Sequence, residues 1–403
     1  MKYVTLRKKK IIRSDDLFNG QPFEREKKIS STVLDISHLC LFVFINSLFV
    51  LKYTLRTPYN HWVILVGYLF LMVVILFPFY AFVFKAKPNI TKVLFFILVC
   101  LSLLFISYLQ CIINPLSIKV DRWSAIHNFL NYLFAGAYPY KAQTHLGGYG
   151  SPFPVWQIFH IPFYLLGNVG LGFSFVFILA AIVFYYCYYK NSQNVVLFFL
   201  LLILSPAFWY EVVVRSDIFY NFLLCLVAIV YLRKKGYSIK DKPRLIGIIC
   251  GLFLSTRISV AIPFFIFLFS DFLKSEIRQK TIFLTYVLGF FFLSLLPFLF
   301  WDFNSLLFFK YNPFVLQTRQ GSLFDILIFA VVIILLSLFW KNNFIRCNQF
   351  ISYALVFLVS EVFLHRMLAT NSMCELFSNA YDISYFNMAL PFIVYSISFR
   401  TLK

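Results

Sequence analysis

Charge is scarce in this sequence, and negative charge is the scarcer kind. Charged residues occupy 13% of the 403 positions, and only 16 Asp and Glu stand beside 36 Lys and Arg. A soluble chain of this length needs considerably more charge to cover its surface. Because apolar residues make up 61% of the chain and Phe alone occurs 54 times, the composition excludes a soluble globular protein and indicates a membrane protein.

Several signatures of chemistry are also missing. The eight cysteines occur singly, without a CxxC or a Cys/His pair at metal-ligand spacing, so we expect neither a disulfide framework nor a cysteine metal site. The sequence has no glycine-rich phosphate loop and no polar stretch long enough to form a soluble nucleotide-binding domain. The two halves show no convincing repeat, which disfavours a transporter.

Long apolar runs predict an all-α bundle of about twelve membrane-spanning helices. About 20 residues cross a hydrocarbon core of about 30 Å, and about 30 polar residues before the first run argue against a cleaved signal peptide. We divide the chain into a basic tail (1–33), two N-terminal spans (34–92) and a larger transmembrane domain (93–403). The predicted spans are 34–52, 62–84, 93–113, 169–189, 195–210, 218–232, 245–256, 259–272, 281–300, 323–340, 348–365 and 384–399.

Lys and Arg fall in short clusters between these apolar runs. Clusters of this kind typically stay in the cytoplasm and differ from a binding stripe, so we expect no nucleic-acid partner. If the N-terminus is cytoplasmic and the spans alternate, about 26 of the 36 Lys and Arg lie on the cytoplasmic side. Both termini are therefore predicted to be cytoplasmic, and the longest outer segment is 114–168.

The outer segment 114–168 contains a single acidic residue, Asp121. Apolar residues recur at helical spacing after it, which predicts an amphipathic helix lying along the membrane interface. A run rich in Gly and Pro follows, and then a second apolar helix at 155–166. Two interpretations of Asp121 stay open. It has a structural role, as a solvated loop residue or a helix N-cap, or it is a reactive carboxylate at the depth of the lipid head groups.

Short motifs, in their order along the chain, resemble those of a known family. They are Asp121 with Trp123, Gly136-Ala137-Tyr138-Pro139-Tyr140, Ser151-Pro152-Phe153-Pro154, the stretch from Gly251 to Arg257 followed by Pro263, and Tyr385-Phe386 followed by Pro391. In layout and motifs over roughly 93–399, the sequence resembles the GT-C class of polyprenyl-phosphate-sugar-dependent glycosyltransferases, particularly its bacterial mannosyltransferase-like branches. The first two spans have no counterpart in that class.

This resemblance implies a GT-C-like fold in a bacterial inner membrane, with the active site on the extracytoplasmic face. It implies transfer of mannose or another hexose from an undecaprenyl-phosphate carrier to a glycan, lipid or protein acceptor, with inversion at the anomeric carbon. One carboxylate suffices as general base, because phosphate is a competent leaving group that needs no acid. Asp121 is assigned this role. The acidic pair frequent in the family is reduced here to Asp121 followed by Arg122, so no metal ligand is assigned, and a divalent metal cofactor stays an open alternative.

The donor phosphate is assigned to Arg257 and Arg319, because guanidinium groups suit phosphate and a charge between apolar runs is costly without a partner. The structural alternatives are a pair between Arg257 and Glu361, and a solvated turn at Arg319. Glu211 and Arg215, four residues apart, could also pair with each other. The further candidates for substrate contact are Arg122, Tyr140, Lys141, Glu211, Arg215, Asp217, His365, Arg366, Asp382 and Tyr385.

Two other functions stay open at this stage. A lipid-linked sugar transporter or flippase would need inverted repeats or a polar pathway at the midplane, whereas the charges here gather on the outer side. An O-antigen-type polymerase would also work on the outer face, but with a longer late outer loop. The fate of a labelled polyprenyl-phosphate sugar would distinguish single transfer, chain extension and translocation.

Overall fold

The computed structural model describes residues 28–318, 321–340, 343–372, 377 and 381–400, and these residues are helical with no extended strand. The predicted all-α fold is therefore confirmed for this part of the chain, and residues 1–27 of the predicted tail lie outside it. The α-helices are α1 (Lys28–Thr54), α2 (His61–Lys85), α3 (Pro88–Ile112), α4 (Arg122–Phe134), α5 (Pro154–Phe159), α6 (Ile161–Leu165), α7 (Leu171–Tyr188), α8 (Ser192–Ile203), α9 (Pro206–Val214), α10 (Ile218–Lys235), α11 (Pro243–Leu254), α12 (Ala261–Lys274), α13 (Ile277–Trp301), α14 (Phe303–Leu307), α15 (Pro313–Thr318), α16 (Leu323–Phe339), α17 (Phe344–Thr370) and α18 (Leu390–Ser398).

Six of the described helical runs are long and apolar enough to cross a membrane, or seven if α9 and α10, bent by 113°, count as one span. The fold is therefore consistent with a multi-pass membrane protein, while the predicted number of twelve crossings is not confirmed. The shorter apolar helices are Pro243–Leu254, Phe324–Phe339 and Ile383–Ser398. The six long runs are Ile36–Thr54, His61–Lys85, Pro88–Ile112, Leu171–Ile203, Ile277–Trp301 and Phe344–Thr370.

The perimeter and the core differ in what their apolar side chains contact. On α2 and α13 only two side chains each are buried, and many apolar side chains are exposed, as at Phe77 (77% exposed) and Phe300 (83% exposed). An apolar surface of this extent suits contact with lipid chains. In α8 and α18, and in α10 up to its exposed last turn, most side chains are buried by other helices. These three helices form the centre of the bundle.

The run Leu171–Ile203 folds back on itself as a helical hairpin. As one straight helix, it would separate Phe177 from Phe199 by about 33 Å. The two ring centroids are instead 5.2 Å apart, and those of Phe184 and Phe198 are 4.7 Å apart. A 3-10 turn at Tyr189–Asn191 reverses the chain. The sequence pattern, which separates 169–189 from 195–210, breaks at this turn, but the second arm ends at Ile203 and α9 begins at Pro206.

Two glycines, one turn apart, let α11 pack closely against α13. A Cβ atom on Gly251 would lie 2.5 Å from the carbonyl oxygen of Val287, and one on Gly247 would lie 2.7 Å from Cβ of Tyr286. Both distances are too short for a side chain, so only glycine permits this approach of the two backbones. The close packing holds the C-terminal end of the short helix α11 against a full-length one.

Successive long helices alternate in direction, so the bundle has two distinct ends. The basic connections at 85–92, 233–244 and 274–280 lie at one end, which we call the basic end. The C-terminal ends of α1, α3, α11, α13 and α17 lie at the other, together with α4 and the predicted outer segment 114–168. We call this second end the cavity end, for the feature described next.

Candidate functional site

A cavity of about 960 Å³ lies at the cavity end of the bundle. Its walls are helix ends and connections, where non-helical backbone is shielded by protein. Five cationic and three acidic side chains line it, so its formal charge is +2, and six tyrosines complete much of the wall. These residues are Lys52, Arg56, Lys119, Arg122, Arg257, Asp121, Asp217, Asp382, Tyr53, Tyr149, Tyr210, Tyr311, Tyr381 and Tyr385.

Asp121 lies on the cavity wall, directly before α4, and is half-buried. Its Oδ2 accepts a hydrogen bond from Thr144 Oγ1 at 3.0 Å. Although it occupies the N-cap position, its side chain makes no hydrogen bond to the first turn of α4, so capping does not account for it. Among the described residues no cation forms an ion pair with it. The carboxylate therefore keeps acceptor capacity for a hydroxyl proton.

The glycine-rich run after α4 folds over Asp121 as a short hairpin. Thr144 N donates to Gly148 O at 2.8 Å, and Gly147 makes the turn with φ at +80°, a value that glycine adopts without strain. A Cβ atom on Gly148 would lie 2.8 Å from Oδ2 of Asp121. Glycine is therefore required at 148, because any side chain there would displace the carboxylate.

His145 anchors this hairpin to both sides of Asp121. Its Nδ1 is 2.7 Å from Ser124 Oγ in the first turn of α4, and its Nε2 is 3.1 Å from the carbonyl oxygen of Ile118. One further hydrogen bond, from Asn128 Nδ2 to Gln143 O at 2.7 Å, joins α4 to the start of the hairpin. These contacts hold the hairpin over the carboxylate without using the carboxylate itself.

Arg122 connects α4 to the segment before α18. Its Nη2 donates to Asp382 Oδ2 at 2.7 Å, and its guanidinium lies over the ring of Tyr385, 5.2 Å from the centroid. Burial raises the pKa of the Asp382 carboxyl, but the neighbouring guanidinium outweighs burial, so this pKa lies below its ordinary value. Arg122, Asp382 and Tyr385, all predicted site residues, therefore meet on one wall, although Arg122 and Asp382 are 260 positions apart in sequence.

Arg257 forms a second ion pair, which is buried. Its Nη2 and Nε donate to Asp217 Oδ2 at 2.6 and 3.0 Å, and Nη1 is 3.3 Å from Ser151 Oγ. The two charged side chains are 6% and 2% exposed. The suggested structural pair between Arg257 and Glu361 is therefore wrong. Asp217 is the partner because the bend between α9 and α10 brings it to the end of α11.

Two motifs that are distant in sequence meet at the break between α11 and α12. Phe153 N donates to Thr256 O at 3.0 Å, and Val155 N donates to Ser255 O at 3.1 Å. Gln317 on α15 closes the junction, because its Nε2 donates to Ser151 O at 2.7 Å. The unwound backbone thus finds partners inside the protein, as buried non-helical backbone requires, and Arg257 is held at the cavity wall.

Aromatic pairs form two further parts of the wall. The rings of Tyr53 and Tyr210 stack with centroids 4.6 Å apart, and those of Tyr149 and Tyr311 with centroids 4.9 Å apart. Behind the first pair lies an apolar groove of about 350 Å³ between α1, α2 and α9. Tyr53 and Tyr210 line both the groove and the cavity, so the polar and apolar spaces adjoin across this pair.

Sequence reasoning missed the cations Lys52, Arg56 and Lys119. Lys52 and Arg56 come from the end of α1 and the turn after it, in the region where the family resemblance has no counterpart. A signal was present: the predicted orientation leaves ten Lys and Arg on the outer side. Five of these ten basic residues line the cavity. No single sequence motif shows that they cluster there.

Glu211 and Arg215 do not pair with each other and do not line the cavity. The Glu211 carboxylate accepts from Phe219 N and Asn387 Nδ2, both at 3.0 Å. The Arg215 guanidinium donates to the carbonyl oxygens of Gln110 and Ile113 instead. Both side chains are buried behind the cavity wall and hold the bend between α9 and α10 against α3 and the segment before α18.

Four other predicted contacts lie away from the cavity lining. Tyr140 is buried and its hydroxyl donates to Pro152 O at 3.3 Å, while Lys141 pairs with Asp302 at 3.0 Å on the surface. His365 pairs with Asp325 at 2.9 Å, and Arg366 lies beside it on α17. Arg319 lies outside the described residues. Of the predicted site residues, Asp121, Arg122, Asp217, Arg257, Asp382 and Tyr385 do converge on the cavity.

Within the described ranges, no group of three or more His, Cys, Asp or Glu side chains is arranged to hold a metal ion. Among the described residues, Asp121 is the cavity carboxylate without an ion-pair partner, and cations and tyrosine rings line the rest of the wall. No protein-family model, no curated protein and no solved structure matches this chain.

Proposed function

We propose that this protein is a membrane glycosyltransferase that moves one sugar from a polyprenyl-phosphate carrier to an acceptor outside the cytoplasm. The observation that carries the proposal is the position of Asp121. This accessible carboxylate lies in a cationic cavity that adjoins an apolar groove. A phosphate-linked sugar on a long lipid has the same three parts: a hydroxyl-rich reacting centre, an anionic phosphate and an apolar chain.

The reaction needs one base and no acid. An acceptor hydroxyl attacks the anomeric carbon and forms the new C–O bond, while its proton passes to the Asp121 carboxylate. The bond between the anomeric carbon and the phosphate oxygen breaks, and its electron pair leaves with the phosphate. Direct displacement inverts the anomeric carbon. The half-buried position of Asp121 and its single hydrogen bond from Thr144 suit this role.

The cations divide into two groups according to how many of their nitrogen atoms already donate hydrogen bonds within the protein. Arg257 uses Nε, Nη2 and Nη1 on Asp217 and Ser151, so we assign it to holding the cavity wall rather than to the phosphate itself. Arg122 bonds Asp382 through Nη2 alone, and Lys119 is exposed at the cavity edge. Arg122 and Lys119 are therefore the proposed phosphate ligands, with Arg56 beside them.

The apolar groove suits the first part of the lipid chain. Its lining includes Phe49, Ile64 and Trp209, from three different elements of the bundle. Phosphate in the cavity and lipid in the groove would place Tyr53 and Tyr210 at the junction between head group and chain. Burial of each CH₂ in such a groove contributes about 0.8 kcal/mol, which favours a long apolar carrier over a soluble nucleotide sugar.

The same proposal includes the orientation and the twelve crossings. The basic connections lie at the end opposite the cavity, and under the positive-inside rule this supports a cavity outside the cytoplasm. Besides the six long runs and the three shorter apolar helices, twelve crossings require α8, α10 and α12 to count as one crossing each. A cavity at one end rather than at the midplane favours an enzyme over the transporter alternative.

Transfer from a labelled donor tests the proposal. The purified protein in liposomes receives radiolabelled undecaprenyl-phosphate hexose and a membrane extract as the acceptor source. We expect single-sugar transfer by the wild type, none by Asp121→Asn, and near-normal transfer by Asp302→Asn. Asp302 is a matched control because it lies at the same end and does not line the cavity. Processive chain extension would favour a polymerase, and movement of intact donor across the bilayer would favour a flippase.

Orientation is tested separately, because the proposal fails if the cavity is cytoplasmic. Thr57 lies in the exposed turn between α1 and α2 at the cavity end. In a variant lacking the native cysteines, Thr57→Cys should react with a membrane-impermeant maleimide in intact cells. Reaction only after the membrane is opened would place the cavity in the cytoplasm and end the glycosyltransferase proposal.

A further inference from the structure

The two tyrosine pairs of the cavity differ in their surroundings. Tyr53 and Tyr210 belong to membrane helices and adjoin the apolar groove. Tyr149 and Tyr311 lie on connecting segments, with interplanar angle 14°. Phe309 supports them edge-on, 5.2 Å from the ring of Tyr149 and 5.9 Å from that of Tyr311. The second pair is therefore an aromatic part of the cavity wall that does not line the apolar groove.

The second pair is also adjacent to the accessible carboxylate. Tyr149 directly follows Gly148, the residue whose backbone packs against Oδ2 of Asp121. Because Tyr149 and Asp121 both line the cavity, a molecule that packs on Tyr149 would share that cavity with the Asp121 carboxylate. Tyr53 and Tyr210 have no such connection, because they lie on α1 and α9 rather than on the hairpin over Asp121.

Polar groups lie at the hydroxyl edge of Tyr149 and over the outer face of Tyr311. Gln143 Nε2 donates to the hydroxyl of Tyr149 at 2.9 Å, and Gln143 itself lines the cavity. Lys310 Nζ lies 5.0 Å from the centroid of the Tyr311 ring. A sugar ring has a face of C–H groups that packs on an aromatic ring and a rim of hydroxyl groups that needs hydrogen-bond partners. Rigid rings with nearby amide and ammonium groups match both requirements.

We propose that Tyr149 and Tyr311 form the acceptor subsite and that the acceptor is a saccharide. This inference rests on the proposed function, which leaves glycan, lipid and protein acceptors open. The apolar groove of about 350 Å³ lies behind Tyr53 and Tyr210 rather than at Tyr149, so the second tyrosine pair suits a saccharide better than a lipid chain. The stacked sugar would present one hydroxyl to Asp121 and the rest to solvent at the cavity mouth.

Trisaccharide acceptors test the subsite. Mannotriose, maltotriose and cellotriose are offered to the protein in liposomes, and KM and kcat are measured for each one that accepts the labelled sugar. Tyr149→Ala and Tyr311→Ala should each raise the acceptor KM about tenfold, as expected for the loss of one stacked ring, with the donor KM unchanged. Tyr149→Phe should retain most of the binding. Tyr59→Ala is the matched control, since Tyr59 is 71% exposed at the same end and does not line the cavity.

Ligand-observed NMR with the same three trisaccharides separates this inference from the proposed function. Asp121→Asn should bind the saccharide like the wild type while transferring nothing. Saccharide binding that depends on Tyr149 and Tyr311, without any transfer by the wild type, would support the subsite and reject the glycosyltransferase. Transfer that is unaffected by either alanine variant would reject the subsite alone. Failure of all three saccharides to bind, or a rise in donor KM instead, would also overturn it.

Discussion

Asp121 and Asp217 line the same cavity but are held in opposite ways. Asp217 is buried, and Arg257 donates to its Oδ2 at 2.6 and 3.0 Å. Asp121 is half-buried and accepts one neutral hydrogen bond, from Thr144. A carboxylate bound by a guanidinium is stabilised in its charged form and takes up a proton poorly. The comparison separates a carboxylate that holds the structure from one that is available for proton transfer.

The same difference divides the two arginines of the cavity. Arg257 is bound on three of its nitrogens inside the wall, whereas Arg122 is bound through one nitrogen to Asp382, whose side chain is 38% exposed. The burial and hydrogen bonding of a charged group, rather than its residue type, therefore distinguish the groups that stabilise the fold from those that can contact a ligand. The following predictions test this distinction, beginning with the largest expected effect.

Asp121→Asn should reduce sugar transfer by about 10²- to 10⁴-fold, the usual contribution of a general base. Asn has nearly the same shape and can still accept from Thr144, so the melting temperature should not change. Transfer with the labelled donor and thermal unfolding in detergent measure the two effects. A variant that keeps its activity would show that Asp121 is not the base. A fall in melting temperature as large as that of Asp217→Asn would show that Asp121 stabilises the fold in the same way as Asp217.

Asp217→Asn should affect stability more than any other single change in the cavity. It leaves the Arg257 guanidinium buried without a counter-charge, which costs about 3–5 kcal/mol. Thermal unfolding of the detergent-solubilised protein should show a large fall in the melting temperature. The double variant with Arg257→Met removes both charges and should recover most of the loss. Full stability of the single variant would mean that water reaches the pair.

Asp382→Asn should act on the donor site through Arg122. Loss of a charge-assisted hydrogen bond of about 1.5–3 kcal/mol frees the guanidinium, so the donor KM should rise about tenfold or more while the acceptor KM stays constant. An Asp382→Glu variant, which keeps the charge, should partly restore the donor KM. A change confined to kcat would argue against this positioning role.

The Asp382 pair also makes a prediction about pH. The pKa of Asp382 is lowered in the folded protein, so its stabilising contribution is present above the unfolded value of about 3.9 and is lost as the pH falls through the lower folded value. The melting temperature of the wild type should therefore drop more steeply below about pH 4 than that of Asp382→Asn. Parallel curves for the two proteins would contradict the assigned pair.

The surface pair of Lys141 and Asp302 should have the smallest effect. Hydrogen bonds from Ser305, together with Lys141, lower the pKa of Asp302 to about 2, yet the pair is exposed and screened by water. Lys141→Met should change neither transfer nor the melting temperature beyond about 1 °C. A clear loss of transfer would bring Lys141 into the site, as the sequence analysis expects.

The prediction of the site from sequence succeeded for residues marked by a strong local signal. Asp121 stands out as the only acidic residue in the outer segment, and Arg257 stands out as a charge between apolar runs. Both line the cavity. The ion-pair partners were harder to predict. A buried arginine needs an acidic partner, but the sequence does not show which Asp or Glu supplies it. Glu361 and Asp217 were equally suitable by composition, and only the bend between α9 and α10 selects Asp217.

Residues of the first span show the other limit. Lys52 and Arg56 carry no motif, and their role depends on α1 ending beside α9 and the segment before α18. The predicted number of spans has the same weakness. Apolar runs as short as 12 residues, such as α11, read like membrane spans in sequence. Whether such a run contacts lipid or packs against a neighbour, as Gly247 and Gly251 do against α13, depends on tertiary contacts.

The sequence by itself determined that the chain is helical and that several of its apolar runs are long enough to span a membrane, because apolar runs act locally on the bilayer and on the backbone. Only the tertiary structure decided which charges meet, which of two aspartates stays accessible, and that a cationic cavity adjoins an apolar groove. These features arise from contacts between residues up to 329 positions apart, and the energy of such a contact depends on burial and distance rather than on local pattern.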